Sequence, residues 1–243
     1  MPSVKPQIPE LSFAWKFIPS DQSGGDIFNI HQLDDRHVAI YLADVSGHGV
    51  PAAMVTVSVV QSLQPHGRTI LHRGADGLSD PAPRKPSDVL TVLNREYPIE
   101  RFGKYFTMVY LILDRFSGEL VYSNAGHPAP LLVRATGEVE SLDEGGMLIG
   151  IDGPVPFEDG NKRLQKGDRV FLYTDGITEF GSDDDFYGVE RFQVGLVETI
   201  QLELDAACER VIEQVMAYGP GLTADDDITL VAVEFGTGDP SPD

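Results

Sequence analysis

Between Ser23 and Met54 the chain reads SGGDIFNIHQLDDRHVAIYLADVSGHGVPAAM, and this stretch limits the fold more than any other. Val38, Ile40 and Leu42 alternate with Ala39, Tyr41 and Ala43, the period of a half-buried strand. A shorter strand precedes it, starting at Asp26 directly after Gly24-Gly25, and Asp44 stands at the end of the longer one. Ser46-Gly47-His48-Gly49 then turns the chain into an apolar helix from Val50 to Leu63. A hairpin of this kind brings Asp26 and Asp44 close together. Like charges at short range repel, so two carboxylates converging through backbone geometry call for a compensating cation.

The rest of the chain supplies more strands. Leu11 to Ile18 carries Phe13, Trp15 and Phe17 on one parity, and residues 20–25 form a turn. Residues 65–86 break the pattern with prolines, glycines and local basic charge; loops this long are often functional. Ser87 reads as the N-cap of a short helix that buries Val89, Leu90 and Leu93. From Tyr105 onward, short β runs (YFTMVYLILD, GELVYSNAG, APLLVR, GEVESL, DRVFLYTDG) are separated by Gly, Pro or Asp turns. Two helices follow the polar loop 181–188. The second presents Leu204, Cys208, Val211, Ile212, Val215 and Met216 on one face, and the last strand is ITLVAVEF. Hairpin-length links favour antiparallel sheets with helices outside, an α+β fold with two sheets face to face. One domain over residues 11–235 is expected, with a loose lead-in at 1–10, the possible end of a linker from a longer chain, and a disordered tail at 236–243.

Net charge excludes several function classes. With 38 acidic against 18 basic residues the chain carries -20, which repels nucleic acid and anionic membrane and is compatible with divalent metal. No apolar run approaches the roughly 20 residues that span a bilayer. The single cysteine, Cys208, forms no internal disulfide and makes a reducing cytoplasm the expected compartment.

Aspartate meets a strand end at four places: Asp26, Asp44, Asp175 and the group 225–227. Taken singly, each is ordinary turn chemistry. Together they form a set of hard oxygen ligands suited to Mg²⁺ or Mn²⁺ rather than zinc. Two such ions roughly 3.5–4 Å apart can activate water and stabilise a transferring phosphoryl group.

Other readings are weaker. Gly47 to Ala52 fits GxGxxA, but Asp44 would face a pyrophosphate without a counter-ion, and no parallel βαβ series follows. Asp183-Asp184-Asp185 hints at a calcium loop, yet its twelfth position is Val194, where a glutamate is needed. His48 is either a general acid or phosphate contact, or a histidine that hydrogen-bonds across its turn. His127 reads as a turn-locking residue. His31, His66 and His72 show no ligand spacing, and Cys208 reads as inert core. No Gly-X-Ser-X-Gly elbow is present, so water is the expected nucleophile.

Gly24-Gly25-Asp26, the run Ala43 to Gly49 with Ala52-Ala53, Asn124-Ala125-Gly126-His127-Pro128, Tyr173 to Glu179 and Asp226-Asp227-Ile228-Thr229 occur in the order of the motifs of PPM-type phosphatases. The chain resembles the SpoIIE/RsbU branch of the protein phosphatase 2C superfamily over about residues 11–235. The resemblance implies a four-layer αββα sandwich with two Mn²⁺ or Mg²⁺ ions at one edge. Asp44 would bridge both ions, the Val45 carbonyl would add a ligand, and Asp26 would act directly or through water. Asp175 and Asp226 would hold the other ion. Asp227 would stand behind the ligands, and Gly24 and Gly25 would let backbone approach the edge. Unlike the eukaryotic branch, Val45-Ser46-Gly47 intervene between Asp44 and His48, and no equivalent of its phosphate-gripping arginine stands out.

The activity implied is hydrolysis of phosphoserine or phosphothreonine in a protein. The expected substrate is a phosphorylated anti-sigma-factor antagonist of STAS type in a partner-switching pathway. A sensor or regulatory partner and a homodimer are both compatible with this, and residues 65–86 are a candidate regulatory or docking element. The alternatives are a catalytically silent phosphatase-like binding module and a two-metal hydrolase of a small phosphate ester.

Overall fold

The computed structural model describes residues 2, 4–20, 25–47, 49–64, 69–72, 82–151, 153, 156–182 and 185–236. Three strands come first: β1 (Leu11–Ile18), β2 (Ile27–Gln32) and β3 (His37–Val45), followed by helix α1 (Val50–Ser62). Two-residue strands β4 (Leu71–His72) and β5 (Ala82–Pro83) pair with each other, so the expected loop at 65–86 contains a small antiparallel ladder. Then come α2 (Pro86–Glu96) and the single turn α3 (Ile99–Phe102). The β-rich half holds β6 (Phe106–Asp114), β7 (Glu119–Ala125), β8 (Leu131–Val133), β9 (Val139–Ser141), β10 (Gly145–Gly146), β11 (Gly160–Arg163) and β12 (Arg169–Tyr173). The chain continues through α4 (Asp175–Thr178), β13 (Gly181–Ser182), β14 (Asp185–Phe186), α5 (Gly188–Glu198), α6 (Leu204–Tyr218) and β15 (Ile228–Phe235).

Two sheets carry the fold. One runs β1-β15-β12-β8-β9; the other runs β10-β7-β6-β3-β2, with β11 also paired to β7. All their ladders are antiparallel except the short β10–β7 contact. The alternation read in the sequence explains the layering. Val38, Ile40 and Leu42 turn inward and meet Val170, Leu172, Val231 and Val233 of the other sheet. Their neighbours Ala39, Tyr41 and Ala43 face the opposite way, against Ala52, Val55 and Val59 of α1 and Val89, Leu90 and Leu93 of α2. On the far side, Phe171 and Tyr173 of β12 pack against Phe192 and Leu196 of α5 and Cys208, Val211 and Val215 of α6. Three apolar clusters between four layers of structure, two of sheet and two of helix, make the αββα sandwich. Among the described residues no helix is long and apolar enough to cross a membrane.

Ser87 is not the cap of α2. Pro86 occupies the first turn and Lys85 is the N-cap; the Ser87 hydroxyl instead donates to Asp159 Oδ2 at 2.8 Å, and its N–H donates to Oδ1 at 2.8 Å. Proline's fixed φ suits the first helical position, so the start moves ahead of the serine.

Candidate metal centre

The acids gather because both sheets end at the same edge. Ile27 pairs with Ala43 in the β2–β3 hairpin, so Asp26, one residue before, lies across from Asp44. On the other sheet, β12 and β15 are antiparallel neighbours with Tyr173 opposite Leu230. Asp175 follows the first strand and Asp226 precedes the second, at the same end of the pair. Carboxylate oxygens of Asp44, Asp175 and Asp226 all lie within 4.8 Å of one another. Asp26 stands outside this triad, buried behind it, and accepts a hydrogen bond from Thr229 Oγ1 at 2.5 Å.

Two glycines permit the convergence. A Cβ on Gly25 would lie 2.2 Å from the Val45 carbonyl oxygen and 2.9 Å from Asp44 Oδ1. Only a residue without a side chain fits there, which puts the Val45 carbonyl and the Asp44 carboxylate on the same small cradle. Gly176 does the same across the edge, where a Cβ would meet the Asp227 carbonyl oxygen at 2.2 Å. The short helix α4 begins at Asp175 itself, so this carboxylate is carried at the turn out of β12.

Electrostatics at this edge are unfavourable for bare carboxylates. Burial, then the charges of Asp175, Asp226 and Asp227, push Asp44 up to about 7. Burial, then Asp226 and Glu179, raise Asp175. Burial raises Asp26 well above the usual range against the Thr229 hydrogen bond, and the charge of Asp44 raises it further. A divalent cation relieves all of these at once. Oxygen-only donors at this spacing suit Mg²⁺ or Mn²⁺.

Supporting contacts fix the frame. Asp227 Oδ1 accepts from the Ser20 N–H at 2.9 Å, tying the end of β1 to the turn before β15. Thr174 Oγ1 donates to the Asp227 carbonyl at 3.1 Å and accepts from the Thr229 N–H at 3.0 Å. Asn124 and His127 close a turn reciprocally: the His127 N–H donates to Asn124 Oδ1 at 2.7 Å, and Asn124 Nδ2 donates to the His127 carbonyl at 2.8 Å. The His127 ring contacts Thr107 Oγ1 through Nδ1 at 2.9 Å, and Thr107 is the cross-strand partner of Asp44. Burial pushes His127 down to about 3, so the ring is neutral and serves as a prop. His48 and Gly24 lie outside the described residues, as do Asp183, Asp184 and His66.

Thr174 and Thr229 lie inside the motifs quoted above, but their hydrogen bonds to each other and to Asp26 and Asp227 are not readable from spacing. Each is a threonine within two residues of a strand-end aspartate. A cavity of about 320 Å³ opens beside the triad, lined by Asp175, Glu179, Phe180, Ser182, Asp225 and Asp226 among others.

Comparison with known proteins bears on the family and the fold. Residues 34–236 match the family described as Stage II sporulation protein E (SpoIIE). The phosphoserine phosphatase RsbU of Bacillus subtilis (strain 168) is 27% identical over 184 residues, covering 74% of this chain and 50% of RsbU. The chain thus spans about half the length of that relative. The crystal structure of the RsbU and RsbW domains of Rv1364c from Mycobacterium tuberculosis superposes with a TM-score of 0.76 at 25% identity, covering 96% of this chain and 62% of the other. RsbX, crystallised in complex with magnesium, shares the fold with a TM-score of 0.66 at 16% identity, covering 96% of this chain and 98% of RsbX.

Proposed function

This chain belongs to the SpoIIE family, and from that premise we propose that it is a divalent-cation-dependent phosphatase acting on phosphoserine or phosphothreonine in proteins. The observation that carries the reading is the meeting of Asp44, Asp175 and Asp226 at one sheet edge. Asp44, Asp175 and Asp226 are the residues proposed to hold Mn²⁺ or Mg²⁺, with the Val45 carbonyl beside Asp44 and Asp26 behind it. When bound, such a pair of ions activates water and neutralises charge on the phosphoryl group.

The protein's own contribution is position. Gly25 and Gly176 keep the backbone close enough for carboxylates of both sheets to face one centre. Thr229 holds Asp26, and the Asn124–His127 turn supports Thr107 opposite Asp44. His48, between Gly47 and Gly49 in sequence, is proposed as proton donor or phosphate contact. The RsbU resemblance supports a phosphorylated anti-sigma-factor antagonist of STAS type as substrate, with a regulatory or sensor protein as second partner.

The test is phosphate release from a phosphoserine peptide. Turnover is expected with Mn²⁺ and is expected to stop in EDTA. Undiminished release in chelator would overturn the proposal. Faster hydrolysis of nucleotides than of the phosphopeptide would instead favour a small-ester hydrolase.

A further inference from the structure

The edge that gathers the acids also holds a cation that no acid among the described residues pairs with. Lys104 lies between Gly103, the left-handed C-cap of α3 at φ 61°, and the start of β6. Two hydrogen bonds strap the next residue to the loop leaving Asp44: the Ser46 N–H donates to the Tyr105 carbonyl at 3.0 Å, and the Tyr105 N–H donates to Ser46 Oγ at 3.2 Å. This strap carries the Lys104 side chain over Gly47. A Cβ on Gly47 would sit 2.7 Å from Lys104 Nζ, and Gly47 has φ 73°, so the loop offers the ammonium an open place. Lys104 is half-buried, and among the described residues it has no ion-pair or hydrogen-bond partner. Several other basic side chains in and beside the sheets are paired: Arg36 with Asp114, Arg115 with Glu10, Arg134 with Asp168 and Arg169 with Glu234. In a chain of net charge -20, an ammonium held over Gly47, three residues beyond Asp44, and without a partner among the described residues is placed to meet an anion from outside.

We infer that Lys104 is the phosphate-contacting cation of this site, gripping an oxygen of the substrate's phosphate at the mouth of the acidic triad. The inference rests on the phosphatase reading, and it deepens that reading. A phosphate monoester dianion approaches an edge lined with carboxylates. A fixed ammonium at the rim offsets that repulsion and orients the group, as charge-assisted contacts to phosphate do. A mobile lysine would give only attraction from a distance, whereas the Ser46–Tyr105 strap fixes where this one starts. The ligand class that follows is a terminal phosphate monoester rather than a diester, whose single charge gains less from the contact.

The test is calorimetric titration of inorganic phosphate into the full chain loaded with Mg²⁺, for wild type, Lys104→Ala and Lys104→Arg. Mg²⁺ binding is titrated in parallel. Loss of one charged contact is expected to weaken phosphate binding by about 10-fold or more in Lys104→Ala. Lys104→Arg is expected to recover most of that loss, and Mg²⁺ affinity is expected to stay unchanged in both variants. Phosphate binding by Lys104→Ala within about twofold of wild type would overturn the inference. So would absence of phosphate binding in wild type, or a parallel loss of Mg²⁺ affinity, which would make Lys104 a prop of the loop. Turnover of the phosphoserine peptide by wild type, measured alongside, separates the two claims. If peptide turnover fails while phosphate binding still depends on Lys104, the phosphatase reading falls and the phosphate contact stands.

Discussion

The same pair of strands, β3 and β6, carries aspartates at both ends, and the two ends treat them in opposite ways. At one end His37 pairs with Asp114; at the other Asp44 pairs with Thr107. Asp114 accepts from the Phe116 N–H at 2.9 Å, the Ser117 N–H at 3.0 Å and the Arg36 guanidinium. Burial works against its charge, but these donors outweigh it and bring the carboxyl down to about 2. Nearby Asp34 accepts from the backbone of Arg36 and His37 and from the His37 ring. Asp44 meets carboxylates where Asp114 meets donors, and it rises to about 7. A turn aspartate surrounded by N–H groups is complete within the chain. An aspartate facing other aspartates gains from a cation, which makes the second end the proposed ligand site and the first a piece of folding chemistry.

The contrast breaks most visibly under substitution. Asp44→Asn should lower Mn²⁺-dependent phosphopeptide turnover by at least about 100-fold, since even residues behind a metal ligand cost 10–100-fold when lost. Its melting temperature in chelator should be equal to or above wild type, because a neutral amide removes repulsion. A stabilised but active Asp44→Asn would erase the distinction between the ends.

Cation binding sharpens the comparison by acting on one end alone. At about 100 times its dissociation constant, Mn²⁺ should add about 2.7 kcal/mol of stability, read as a thermal shift. The shift should persist in Asp114→Asn and disappear in Asp44→Asn.

Much of this was legible in the sequence, and the limits have physical causes. The alternation in 37–45 gave β3 its two faces, and the position of Asp44 beside a glycine turn marked the edge. β11 escaped because Gly160-Asn161-Lys162-Arg163 has no apolar period; it is held by backbone pairing to β7. α3 is a single turn, too short for a 3.6-residue repeat to show. The Ser87 cap failed because its partner, Asp159, lies 72 residues away. The bond between Thr174 and Thr229 escaped for the same reason, since it joins residues 55 apart. Spacing along the chain reveals periodic burial, whereas polar partners chosen by the fold leave little local trace.

At the folding end the expected effects are smaller and fall on stability. Asp114→Asn should cost about 1–3 kcal/mol through donors left poorly matched, with phosphopeptide turnover unchanged. The pH profiles of the two ends have opposite signs. Asp114, lowered to about 2, contributes stability above its unfolded pKa of roughly 4 that is lost as pH falls towards 2. Asp44, raised to about 7 without metal, contributes stability below roughly pH 4 that is lost as pH rises through 7. Denaturant titrations in chelator should therefore show both flanks, and Mn²⁺ should remove the alkaline one only. Smallest of all is Arg36→Ala. The Arg36 side chain is 57% exposed, so its loss should cost less than about 1 kcal/mol, with Asp114 still held by the backbone of Phe116 and Ser117. A larger loss would mean that the ion pair, not the turn, keeps that end in place.

Anomalous diffraction from a crystal of the full chain grown with saturating Mn²⁺ reaches the account most directly. A manganese peak within coordination distance of carboxylate oxygens from Asp44, Asp175 and Asp226 is the predicted result. A map at that edge without such a peak, with the three carboxylates still facing one another, would contradict it.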